Sequence, residues 1–178
     1  MNPDTVLNFW FNECSPKDWF TKSDAFDAKL REKFGATHAA IMRGETSSWR
    51  TTPEGRLAEI IVLDQFSRNM FRGTPDAFAS DSLALMLAHE ALAAGADMRV
   101  SKEKRHFFYM PLMHSEHFGD HRRALWLFLK SCNWSALAYE IDHARVIWRF
   151  GRYPSRNAIL GRVSTPAEVE FLKTHPGW

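Results

Sequence analysis

The chain carries two copies of one polar tripeptide, Ser67-Arg68-Asn69 and Ser155-Arg156-Asn157, followed at the same offset by Gly73 and Gly161. A guanidinium beside an amide suits recognition of a carboxylate or phosphate. The Arg brings charge and a two-pronged donor, and the Asn brings an orienting donor and acceptor. At the first copy, Asp64 and Arg68 are four residues apart, as are Gln65 and Asn69, so on a helix each pair shares one strip of surface. At the second, Arg149, Arg152 and Arg156 crowd a helix end with Arg162 close behind, a density that can clamp an anion. The competing role is structural. Asp64–Arg68 would be a local ion pair and Asn69 a helix cap, while the later arginines would pair with Asp142 and Glu140 or stack on Trp148 and Tyr153.

His114 and Glu116 follow Pro111, where irregular backbone can aim a side chain. A His beside a carboxylate is a workable acid–base pair near neutral pH, although a buried His bonded to a carbonyl is an equally ordinary arrangement. His143 lies upstream of the second tripeptide and can face it. His117 and His121 have a helical metal-ligand spacing, but chance clustering among the 8 His is the simpler account. The candidate catalytic residues are therefore His114, Glu116 and Asp64. The candidate ligand-binding residues are Gln65, Arg68, Asn69, His143, Arg152, Arg156 and Asn157. No metal or cofactor is expected, and no Gly-rich phosphate loop, nucleophile elbow, HExxH or dinucleotide fingerprint is present.

The elements that must position these residues read as helices, with no period-2 stretch. A short helix is expected over Thr5–Phe11. Ser23 reads as the N-cap of a second, with Phe26, Leu30, Phe34, Thr37 and Ile41 on its apolar face and Gly44 at its end. Thr51 with Glu54 reads as a capping box opening a helix that ends near Asn69, with Leu57, Ile60, Ile61, Leu63 and Phe66 inward. Further helices are expected over Asp81–Ala94, Lys102–Tyr109, His121–Cys132 and Ala136–Phe150. Pro111 should end or kink its segment, and Gly151 should stop the last of these. Thr165 with Glu168 opens a short final helix before an irregular Thr174–Trp178 tail. This gives about seven or eight helices in one domain spanning 1–178, with no linker and no legible tetratricopeptide consensus.

Composition agrees with a soluble globular chain: 45% hydrophobic and 25% charged residues. A formal net charge of +2 is too weak to argue for nucleic acid or an anionic membrane surface, and neither is expected as a partner. The 7 Trp and 14 Phe indicate aromatic packing or a pocket with aromatic walls. Cys14 and Cys132 are lone thiols, Trp10 and Phe11 read as core, and neither a secretory signal nor a membrane-length apolar run is visible. A cytoplasmic location is expected.

Longer motifs point to a family. Val6-Leu7-Asn8-Phe9-Trp10-Phe11, Thr52-Pro53-Glu54-Gly55, Leu63-Asp64-Gln65-Phe66-Ser67-Arg68-Asn69-Met70-Phe71-Arg72-Gly73, Pro111-Leu112-Met113-His114-Ser115-Glu116 and Phe150–Asn157 with Leu160-Gly161-Arg162 run almost end to end. Through them the chain resembles the bacterial all-helical family known as domain of unknown function 924. The resemblance implies an all-α, tetratricopeptide-like array of antiparallel helix pairs and no assigned activity. Asn8, Ser67 and Ser155 stand where that family more usually has Asp, Pro and His. The expected function is a polar, Arg/Asn/His-lined pocket for a small anionic ligand, with hydrolysis as the least specific reaction. The alternative is a helical module for a peptide or protein partner, its polar motifs purely structural.

Overall fold

The computed structural model describes residues 1–177, apart from the side chains of Pro16 and Phe20. The described residues are helical throughout their regular parts, and no strand occurs among them. The helices are α1 (Pro3–Asn8), α2 (Pro16–Phe20), α3 (Asp24–Met42), α4 (Pro53–Ile61), α5 (Ser67–Met70), α6 (Asp76–Ala79), α7 (Asp81–Ala93), α8 (Lys102–Arg105), α9 (Met110–His114), α10 (Phe118–Lys130), α11 (Trp134–Phe150) and α12 (Pro166–Leu172). These segments outnumber the expected seven or eight because tighter and wider turns divide continuous rods. A π-helical turn, Val62–Phe66, joins α4 to α5, and another, Phe9–Glu13, extends α1.

The caps explain where the rods begin. Ser23 accepts from the Phe26 N–H, and Thr165 with Glu168 forms the expected reciprocal box. One boundary differs from expectation. Thr52, not Thr51, caps α4 by accepting from the Gly55 N–H, while the Thr51 hydroxyl donates to the Ser48 carbonyl. Thr51 sits in the preceding 3-10 turn (Ser47–Thr51), so Pro53 falls at the first helical position, where its missing N–H costs nothing. Pro111 also differs. It lies in the first turn of α9 rather than ending a helix, and His114 is the last residue of that helix. Gly151 closes α11 with φ 69°, a left-handed conformation that glycine adopts without a Cβ clash.

The core is a continuous aromatic and aliphatic cluster. Phe9, Phe34 and Phe66 meet with ring centroids 4.8–6.1 Å apart, and Trp10 packs on Phe66 at 5.2 Å. Trp10 is fully buried, and Phe11 packs against the same cluster from its edge. A smaller cluster of Val146, Ile147 and Tyr153, with Phe150 and Phe171, ties α11 to α12. α10 and α11 pack extensively and are joined by residues 131–133 alone, so the pair is antiparallel. Among the described residues, no helix is long and apolar enough to cross a membrane.

Candidate functional site

The site begins at the π turn. Asp64 and Gln65 lie within it, and Arg68 and Asn69 follow in α5. A π turn accommodates one extra residue in the helical ladder, and such turns recur at functional sites. Here the carbonyls of Val62, Leu63 and Asp64 each accept a side-chain donor, from Ser67, Ser80 and Arg68 respectively. The wider turn is thereby tied to the residues around it.

The Asp64 carboxylate is buried and surrounded by donors. Its Oδ1 accepts from His114 Nδ1 at 2.7 Å and its Oδ2 from Gln65 Nε2 at 2.6 Å, with Arg68 Nη1 at 3.5 Å. Burial opposes ionisation, but the His114 ring, the Arg68 guanidinium and the hydrogen bonds from His114 and Gln65 outweigh it and hold the Asp64 pKa at about 2. For His114, burial and then the Arg68 charge push the pKa below the usual histidine value. Near pH 7 the ring is neutral. The carboxylate holds its proton on Nδ1, leaving the lone pair on Nε2. That nitrogen has no hydrogen-bond partner among the described residues and is not sealed from solvent.

The two tripeptide arginines meet on one acid. Asp81, the first residue of α7, takes a two-pronged pair of bonds from Arg68 at 2.9 and 3.1 Å and a third contact from Arg156 Nη1 at 3.3 Å. Arg156 also donates to the His114 carbonyl at 2.9 Å, and its guanidinium lies over Tyr153 and Phe78, 4.4 and 4.8 Å from the ring centroids. These bonds use only part of each guanidinium's five donors.

A cleft of about 460 Å³ opens beside this clasp. Among the described residues its lining includes Arg68, Arg72, Arg156, His114 and His143 and no Asp or Glu side chain, and Trp19, Phe78 and Tyr153 supply aromatic walls. The compensating acids sit outside the lining: Asp81 as above, and Asp27, which receives Arg72 at 2.6 and 3.0 Å. His143 donates its Nδ1–H to the Tyr139 carbonyl, and burial first, then His114, pushes its pKa down to about 3. A second hollow, about 480 Å³, lies across Phe78, His114 and Arg156 and is acidic instead, with Asp64, Asp76, Asp81 and Glu116 in its lining. A larger one, about 700 Å³, between α11 and α12, contains none of the Asp64–His114–Asp81 constellation.

The expected site residues therefore separate. Gln65, Arg68, Asn69, His114, His143 and Arg156 share the cation-lined cleft, with Asp64 directly behind His114. Asn69 orients Arg72, accepting from its Nη2. Glu116 is not the partner of His114. It binds Arg162 at 2.6 and 2.9 Å and the Tyr153 N–H at 2.8 Å, so it fastens the second motif to the loop after α9. Arg152 turns away to Glu168 at 2.7 and 2.8 Å, and the fully buried Asn157 donates to Ser164, so neither lines the cleft. His117 is exposed, whereas His121 is buried against Glu140 at 2.8 Å, so the metal-like spacing brings the two rings to no common site. Asp81, Arg72, Phe78 and Tyr153 complete the site, and sequence reasoning does not select them. Asp81 has the pattern of an ordinary first-turn acid, and nothing local distinguishes it.

The fold and the cleft define an all-helical protein with a hydrogen-bonded His114–Asp64 pair beside a cation-lined cavity. The chain belongs to the bacterial family of proteins of unknown function DUF924, whose model matches residues 6–176. It is also similar to a solved structure, the protein of unknown function ATU0120 from Agrobacterium tumefaciens. That similarity has 38% identity, a TM-score of 0.92 and coverage of 97% of each chain. No curated protein matches the chain.

Proposed function

We propose that the cleft binds a small anionic molecule and that His114, backed by Asp64, acts on it as a general base, with hydrolysis as the reaction class. The observation that carries this reading is the one-sided set of described side chains: three arginines and two histidines face the cavity, with no Asp or Glu side chain among the described lining residues. An anion entering there meets the unused guanidinium N–H groups of Arg68, Arg72 and Arg156 at short range and in reduced dielectric. A water held by His114 Nε2 would lose its proton to the ring as its oxygen attacks. Asp64 would then stabilise the imidazolium that forms. We also propose a cytoplasmic location, in which the two unlinked cysteines would stay reduced.

A second reading makes the polar motifs architectural and the chain a helical module for a peptide or protein partner. It draws on the pairing of Arg68, Arg72 and Arg156 with acids. The two readings separate in a thermal-shift panel of inorganic phosphate, carboxylates and nucleotides on wild type and Arg156→Ala. The pocket reading expects at least one anion to raise the melting temperature of wild type and not of the variant. If no anion stabilises either protein, the pocket reading fails. For an anion that passes, loss of its hydrolysis in His114→Gln with retained thermal stabilisation assigns the base. Hydrolysis unchanged in that variant removes the catalytic role.

A further inference from the structure

The outer surface of α10 and α11 carries a feature that the cleft does not use. Trp134, Ile141 and Trp148 recur every seven residues along α11, so they fall on one strip of the helix. They are 65%, 36% and 77% exposed. Neither tryptophan has a hydrogen bond, ring contact or cation partner among the described residues. The opposite side of α11 is buried through Glu140, His143, Ala144 and Ile147. On α10, Phe118, Trp126 and Leu129 form a matching strip, 41%, 56% and 52% exposed.

The two strips lie on the same side. His121 of α10 meets Glu140 of α11 across the seam between the helices, and Ala124, Leu127 and His143 turn inward from it. In an antiparallel pair, continuing around each helix past the seam, away from those inward residues, leads to the same outer face. That face carries both strips.

We infer that this face is the interface of a two-fold dimer, the occupant being a second copy of this chain. The strip itself argues for self-pairing. It reads Trp, six residues, Ile, six residues, Trp, and is symmetric about Ile141. A two-fold axis through Ile141, with the two α11 helices antiparallel, sets each Trp134 against Trp148 of the second copy and Ile141 against itself. That is the self-complementarity an isologous contact requires. The area is of the right size. At about 250 Å² for a whole tryptophan side chain, the exposed portions of Trp126, Trp134 and Trp148 amount to roughly 500 Å². A standard interface needs about 800 Å² per partner, and Phe118, Leu129, Ile141 and the stem of Arg145 lie on the same face. Tryptophan and arginine are also the residues that most often anchor such contacts.

The test is the mass of the full chain in solution, by light scattering on a sizing column across micromolar concentrations. The wild type is expected at twice the 20.6 kDa chain mass. Ile141→Glu, which sets two carboxylates face to face on the axis, is expected at the single-chain mass with an unchanged circular-dichroism melt. In a background with Cys14→Ser and Cys132→Ser, Ile141→Cys is expected to form a disulfide-linked dimer under mild oxidation. A wild type that stays at the single-chain mass overturns the proposal. So does an Ile141→Glu protein that remains dimeric, or a single-chain protein that binds anionic vesicles through Ile141 and the tryptophans.

Discussion

His114 Nδ1 lies 2.7 Å from Asp64 Oδ1, a bond between residues fifty positions apart in the sequence. It joins the end of α9 to the π turn between α4 and α5. The bond settles three things together: the ionisation of Asp64, the tautomer of His114, and the direction in which the free Nε2 is presented. Few single contacts in the molecule constrain as much of the cleft.

The Asp64 pKa near 2 makes acid stability a direct readout of this bond. A carboxylate whose folded pKa is depressed adds stability that is present above its unfolded value, about 3.9, and is lost as pH falls toward the folded value. The contribution is about 2–3 kcal/mol, since each unit is worth ~1.4 kcal/mol. Urea unfolding of wild type and Asp64→Asn should therefore show wild type ahead by this order near neutral pH. The gap should narrow between about pH 4 and pH 2. A gap that stays constant over that interval would mean that Asp64 is not held ionised by its neighbours.

Asp81 neutralises two guanidinium groups at once, so the partners are not interchangeable. Arg68→Ala removes the two-pronged contact and leaves Asp64 and Asp81 short of donors. The expected cost is roughly 3–5 kcal/mol, as for removal of one partner from a buried pair. Asp81→Asn should behave differently. It should destabilise the protein, because Arg68 and Arg156 lose their acid, and yet strengthen stabilisation by inorganic phosphate, because the cleft becomes more cationic. Melting temperatures with and without phosphate measure both effects, and weakened phosphate stabilisation in Asp81→Asn would contradict the second.

Thr51 and Thr52 are adjacent threonines with unequal roles. Thr52→Ala should cost about 1 kcal/mol, the usual value of an N-cap bond, because the Gly55 N–H loses its acceptor. Thr51→Ala removes only an exposed hydroxyl bond to Ser48 and should change stability by less than about 0.5 kcal/mol. Denaturant midpoints of the two variants provide the comparison. Equal losses would place the cap elsewhere.

Gly55 and Gly35 should respond to alanine in opposite directions. A Cβ on Gly55 would sit 1.9 Å from the Trp49 carbonyl oxygen, so the backbone of the preceding turn must move. Gly55→Ala is expected to cost about 1–3 kcal/mol, the range for overpacking. Gly35 lies inside α3, and a Cβ added there would meet nothing within 4 Å, so Gly35→Ala should gain about 0.5–1 kcal/mol from helix propensity alone. Thermal melts of both variants test the signs.

Much of this protein can be read from local sequence, and the reason is geometric. Helix periodicity, capping side chains and terminal glycines act over a few residues, so Ser23, Thr165 with Glu168, and Gly151 mark boundaries that the structure contains. The inward faces of α3 and α4 follow from the same periodicity. The π turn at Val62–Phe66 has no such marker, because neither proline nor glycine interrupts it and its signal is a change in hydrogen-bond register alone. Pro111 misleads for a related reason: proline at a first turn and proline at a break have the same local sequence appearance.

Local sequence is enough to specify an all-helical chain, most of its helix ends, and the residue types able to hold an anion and move a proton. The partnerships arise only when the helices pack. His114 takes Asp64 rather than the nearby Glu116, Arg68 and Arg156 converge on Asp81, and Arg152 and Asn157 turn away from the cleft to the α12 side. Periodicity reports which face of a helix is buried. It does not report how helices distant in sequence are rotated and crossed against one another, and a site built from their ends depends on that rotation.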